Sequence, residues 1–346
     1  MTKRQAPSRD ELSEPMNKNP KNSPLLWNFH RPHKPWESSH LKVETIKCLR
    51  NLSAYRAPKL SGHLPRSRRA AVLVALFIGR GGDLYVILSR RSDALRTYPG
   101  DTSLPGGKTE NYDHSLENAA RREAFEEIGL PLDKSKVPLL CSLEPFLSGN
   151  HMLVTPVVVL VLDKSLRPFL NAREVHSIFS HPLYGFLTTL HIREPEPLHK
   201  DDDGLSPAYQ STFQDTQKSG SSSSDDVSKE EVQHLSKSYH TFRDITWHNR
   251  PVRMHSFLTG REFQGVKPIT GLTSAILIRV AQIGYNRDTE FEVNAPGQLS
   301  LEDRIAVALF ENDVLRKACQ NENIDMKEWK KRKRIKDQVK RCEYDK

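Results

Sequence analysis

Three glutamates, Glu123, Glu126 and Glu127, stand at i, i+3 and i+4 in the sequence. On a helix that spacing brings all three carboxylates to one face. Like charges so placed repel, and a plain helix would be weaker for it. A hard cation relieves the repulsion: Mg²⁺ or Mn²⁺ suits carboxylate and phosphate oxygens while keeping some of its water. Arg122 precedes the cluster and is placed to pair with one carboxylate and fix its direction. Upstream, Gly106 and Gly107 form a turn in which the missing Cβ atoms let main chain approach a cation or a phosphate. A Glu-rich helix alone is usually a solvated face; here a Pro-Gly-Gly turn precedes it and strong strand signals flank it.

Those signals define the frame. Residues 70–78 are a run of Ala, Val, Leu, Phe and Ile, closed by Gly79-Arg80-Gly81-Gly82-Asp83, which predicts a hairpin with residues 84–88. Residues 89–112 read as irregular. Residues 114–128 read as a helix, with Leu116, Ala119, Ala120, Ala124, Phe125 and Ile128 as its apolar stripe and Gly129 as its C-cap. Residues 137–147 and 152–163 read as strands, the second apolar enough to be central. Leu41, Ile46, Leu49 and Leu52 mark a short amphipathic helix within 40–56. Strands are expected at 241–247 and 252–258, and helices at 272–283 and 301–318, with Thr270 and Thr273 placed to cap the former.

Residues 107–130 resemble the Nudix box, G-x5-E-x7-R-E-U-x-E-E-x-G-U. Arg122, Glu123, Ala124, Glu126, Glu127, Gly129 and Leu130 fit its second half. The first half departs: Gly107 lies one residue too far upstream and His114 stands where the first glutamate is usual, leaving Glu110, Asp113 or Glu117 to substitute. The segment from Arg91 through Arg96, Gly100 and Leu104 to Gly107 is similar to the signature of the coenzyme A diphosphatase subgroup, which shares the longer box; Leu104 replaces the usual Phe. The 153–156 stretch, Leu-Val-Thr-Pro, is similar to the same subgroup. The resemblance covers 68–193 and, more weakly, 239–285.

It implies an α/β fold, the Nudix α/β/α sandwich with a mixed β-sheet. It implies hydrolysis of the pyrophosphate of coenzyme A and its derivatives to 3′,5′-ADP and (acyl-)4′-phosphopantetheine. Glu123, Glu126, Glu127 and the Gly107 carbonyl would bind Mg²⁺ or Mn²⁺, with Arg122 in the catalytic set and Glu126 or Glu127 as general base. Arg91, Arg96, Gly106 and Lys108 would meet substrate, Arg90 less so. Glu174 reads as a loop carboxylate, with an extra metal ligand as the rival reading. The other functions weighed are hydrolysis of oxidised nucleotides such as 8-oxo-dGTP, and a Nudix-fold binding protein with a basic tail.

The chain has 346 residues, 36% hydrophobic, enough for one sizeable core with solvated segments. Its longest apolar stretch, 152–162, is interrupted by Thr155 and Pro156 and falls short of the ~20 residues of a membrane span, so membrane insertion is not expected. The four cysteines are far apart and form no CxxC, which fits a reducing compartment. The net charge of +9 sits in the terminal segments, with nine Lys/Arg against two acids in 327–341. The division expected is a disordered 1–38, a helix and linker at 39–66, the domain core at 67–193, a disordered insertion at 194–238, completion of the domain at 239–319 and a basic tail at 320–346. Lys330–Arg334 in that tail reads as a solvated run, or as a contact for nucleic acid or an import receptor. The subgroup implies a peroxisomal location, yet Glu343-Tyr-Asp-Lys346 is no SKL-type signal, and cytoplasmic, mitochondrial or nuclear placement stays open.

Overall fold

The computed structural model describes residues 41–163, 168–190 and 238–333. The expected disorder at 1–38 and in most of 194–238 lies outside the described residues.

The frame is an eight-stranded mixed sheet. Its centre is β1 (Arg69–Ile78) paired in parallel with β7 (Leu153–Val161), from Arg69↔Leu153 to Phe77↔Val161. Both strands are almost continuously buried, as a strand covered on two faces must be. β2 (Leu84–Arg91) returns antiparallel to β1 through the expected hairpin. β3 (Thr102–Ser103) and β8 (Val175–Pro182) pair with β2, and β4 (Gly106–Lys108) pairs with the first residues of β1. β5 (Leu139–Ser142) and β6 (Phe146–Leu147) pair with β7. The single strand expected over 137–147 is therefore two short ones. Pro138 and Pro145 each lack the N–H that a continuous ladder needs. Residues 89–112, expected to be irregular, contribute β3 and β4.

Helix α1 spans Val43–Ala54 and α2 spans Leu116–Ile128. Successive β1 side chains point to opposite faces. Ala71, Leu73 and Ala75 pack with Ala119, Ala120, Ala124 and Ile128 of α2. On the other face, Ala70 and Val72 meet Leu272 of α3 (Gly271–Tyr285). α1 lies against α3, where Gly284 is required: a Cβ there would come within 2.5 Å of Cys48 Sγ. Sheet and helices together form the expected α/β/α sandwich. A second, three-stranded sheet holds β9 (His240–Trp247), β10 (Arg250–Phe257) and β11 (Ile269–Thr270).

The helix expected over 301–318 is two helices, α4 (Leu301–Glu311) and α5 (Asp313–Asn321). Asn312 breaks it, with an extended backbone and a side chain that accepts hydrogen bonds from the N–H groups of Val314 and Leu315. Of the run Lys330–Arg334, Lys330 and Lys331 are exposed as the solvated reading expects, whereas Arg332 and Lys333 are partly buried. Residues 327–333 are helical. Trp329 is fully buried, its Nε1 donating to the His63 carbonyl. Arg332 pairs with Glu302 and Asp303, and Lys333 with Glu311. The remainder of the 327–341 basic run lies outside the described residues.

Candidate active site

Ser115 starts α2, its Oγ accepting from the Asn118 N–H, and Gly129 ends it in the left-handed conformation. The alanines of the buried stripe let the helix lie close to β1 and β4, and Glu123 and Glu127 come up against the Gly106–Gly107 turn. A Cβ on Gly107 would stand 2.5 Å from Glu123 Oε1, and one on Gly106 2.4 Å from the Ala71 carbonyl oxygen. Gly106, with a positive φ and main chain in the way, therefore requires glycine, while a side chain at Gly107 would push the Glu123 carboxylate aside. The Gly106 N–H donates to Glu127 Oε2 at 3.3 Å.

Glu127 is buried, and that desolvation, with Glu123 and Glu174 nearby, pushes its pKa up to about 8. Burial also raises Glu123, against the pull of Arg122. Glu126 is half-exposed. Arg122 organises the group: it donates to Asp113 through two nitrogens at 3.0 and 3.2 Å, to Glu123 at 3.0 Å, to Glu126 at 3.2 Å and to the Lys108 carbonyl at 3.1 Å. The hydrogen bonds from Arg122 hold the Asp113 carboxyl below its usual range.

Asp113 is thus the carboxylate that answers Arg122, whereas Glu117 pairs with Arg121 and Lys134. Arg122 draws Glu123 and Glu126 to itself, and among the described residues no three acidic, His or Cys side chains converge on a ready-made cation cage.

Arg91 ends β2. Its charge pulls down the Glu127 pKa and its buried Nε has no acceptor. Arg90 pairs with Asp93 at 3.0 Å. Arg96 is exposed in the turn after β2, with no hydrogen bond or ion pair among the described residues. Lys108 offers its carbonyl to Arg122, while its side chain is exposed. Glu174, read above as a loop carboxylate, is exposed at the start of β8, yet its charge raises both Glu123 and Glu127. Its one signal in sequence was its position just before a strand. Thr270 makes no capping hydrogen bond, and Thr273 Oγ1 donates to the Thr102 carbonyl at 3.4 Å instead.

A known domain family, the NUDIX domain, matches residues 67–184, from the start of β1 to just beyond β8. This span is the part of the chain that resembles the family. Curated proteins also match part of the chain. It is 47% identical over 132 residues to Nudix hydrolase 15, mitochondrial, of Arabidopsis thaliana, covering 38% of this chain and 46% of that one. It is 36% identical over 175 residues to peroxisomal coenzyme A diphosphatase 1 of Saccharomyces cerevisiae, covering 42% and 52%. It is 41% identical over 121 residues to a peroxisomal coenzyme A diphosphatase of Mus musculus, covering 35% and 50%. The chain spans about half the length of the curated relatives it matches. Among the described residues no helix is long and apolar enough to cross a membrane.

Proposed function

We propose that the protein is a divalent-cation-dependent Nudix hydrolase that cleaves the pyrophosphate of coenzyme A and its acyl derivatives to 3′,5′-ADP and (acyl-)4′-phosphopantetheine. The observation that carries this reading is the buried, charge-crowded Glu127 set against the Gly106–Gly107 turn beside Glu123. A carboxylate whose ionisation is opposed by burial and by neighbouring acids is a group waiting for a cation.

The donor set fits Mg²⁺ or Mn²⁺: hard oxygens from Glu123, Glu126 and Glu127, and a main-chain carbonyl at Gly107 that no Cβ obstructs. When bound, such a cation neutralises diphosphate oxygens and acidifies a water. Arg122 keeps Glu123 and Glu126 oriented, and Asp113 holds Arg122 in turn. Glu126, half-exposed, is the better placed of the two candidate bases to take a proton from water. Arg91, with a nitrogen free and its charge beside Glu127, is placed for a substrate phosphate. The exposed Arg96 would reach the substrate's outer phosphate, and Lys108 its flank. Glu174 would add a carboxylate to the cation site.

The yeast and mouse relatives' names favour coenzyme A as substrate and a peroxisomal setting. The test offers the purified protein CoA, acetyl-CoA, 8-oxo-dGTP and ADP-ribose with Mg²⁺ or Mn²⁺ and identifies products by mass spectrometry. Release of 3′,5′-ADP at the highest kcat/KM supports the reading. Preference for 8-oxo-dGTP would keep the chemistry and overturn the substrate. Imaging a fluorescent fusion beside a peroxisomal marker tests the location.

A further inference from the structure

Away from the glutamates, a cavity of about 660 Å³ opens between β10, α3 and α4. Its volume falls within the usual range for small-molecule sites. Its walls are largely apolar, with Leu60, Phe146, Ile245, Leu272, Ile278 and Leu299 among them. None of Gly107, Glu123, Glu126 or Glu127 lines it.

The charged groups of the wall are paired, with one exception. Glu144 accepts from Tyr55 at 2.6 Å and Arg279 at 2.8 Å. Glu302 takes Arg332 at 2.8 Å and the Ser61 N–H at 2.7 Å. Arg253 pairs with Asp244 at 2.8 Å. Arg304 has no carboxylate among the described residues; its guanidinium lies 5.5 Å from the Trp247 ring centroid, and its Nε is sealed from solvent with no acceptor. Burial pulls its pKa below the ordinary arginine value. An unpaired guanidinium at a low-dielectric wall is costly for the empty protein. A ligand anion would supply the missing counter-charge at the outer guanidinium nitrogens, with the Trp247 ring beside them.

We infer that this cavity binds an anionic amphiphile, its carboxylate or phosphate head on Arg304 and its aliphatic chain along the apolar wall. The site goes beyond the hydrolytic reading and does not depend on it.

Calorimetric titration of the full chain with decanoate, decyl phosphate and neutral decanol tests the inference. At least one of the anions is expected to bind ten-fold or more tighter than decanol. The stronger anion shows whether the natural head is a carboxylate or a phosphate. Arg304→Met is expected to erase that preference, to melt no lower than the parent protein and to leave CoA hydrolysis within two-fold. Equal binding of decanol, undiminished anion binding by R304M, or no binding of any probe at millimolar concentration would overturn the inference. So would a fall in the melting temperature of R304M, which would make Arg304 a structural element. Loss of CoA hydrolysis in R304M would make the cavity part of the catalytic cleft and overturn a separate site. Failure of CoA as a substrate for the parent protein would touch only the hydrolytic reading.

Discussion

At the scale of single residues, burial and like charge act together on Glu127. Its pKa is raised from 4.5 to about 8. The folded protein therefore holds a proton that the unfolded chain releases, and the associated stability is present below pH 4.5 and lost as pH rises through 8. Thermal melts of cation-free protein should fall between pH 5 and 8.5. Mn²⁺ should restore the loss by binding the folded form, and Glu127→Gln should flatten the slope. The same E127Q protein is expected to lose at least 100-fold in kcat, measured by 3′,5′-ADP release, while keeping its circular dichroism spectrum. Gly107→Ala should leave the melting temperature nearly unchanged yet cost at least ten-fold in turnover, because its Cβ would push the Glu123 carboxylate aside. The i, i+3, i+4 glutamates were legible in sequence because helical spacing alone brings them together. Asp113 as the partner of Arg122 was not, since nothing in the order of Glu110, Asp113 and Glu117 says which carboxylate folds back.

At the scale of elements, long strands and helices with a clean apolar period were readable, and short pairings were not. β1, β7 and α2 carry their own pattern. β3 and β4 are two or three residues long and exist only because β2 and β1 offer them edges. The apolar period runs on through Asn312 into α5, so the break depends on a side chain that caps rather than continues. Asn312→Ala should cost about 1 kcal/mol, read as a lowered melting temperature. The β9–β10 hairpin carries a buried pair, His240 Nε2 to His255 Nδ1 at 3.0 Å, with Phe291 stacked on His240. Burial, and then His255, lower the His240 pKa from 6.5 to about 4. The fold opposes its protonation, so stability held above pH 6.5 is lost as pH falls towards 4. Melts from pH 7 to 4.5 should show a fall that His240→Gln reduces.

For the molecule as a whole, the domain does not end where the charge run begins. The charges of Lys330–Arg334 allowed a solvated reading, yet Trp329, just before them, closes a cluster with Leu64, Leu147, Ile305 and Leu315. A single aromatic in a basic run gives no period, so its burial could not be read from sequence. Trp329→Ala should destabilise by about 3–5 kcal/mol. Deleting 327–346 should likewise lower the melting temperature and, with it, the active fraction at 37 °C. The cavity beside Arg304 was equally hidden, because its walls come from segments far apart in the chain.

The turn that faces the glutamates is also a rung of the sheet, with Ala71↔Gly107 and Val72↔Gly106 in register. Upstream it is tied to β1, and downstream Ser115 fixes the first turn of α2. Between these anchors, residues 109–114 bow outwards and are tied at two points, the Thr109 N–H on the Arg69 carbonyl and the Asp113 carboxylate on Arg122. The extra residue by which this chain departs from the commonest spacing falls within that bow. An insertion there that leaves Asp113 on Arg122 should be tolerated, where a single insertion at 104–107 or 116–123 would slip the two halves of the site out of step.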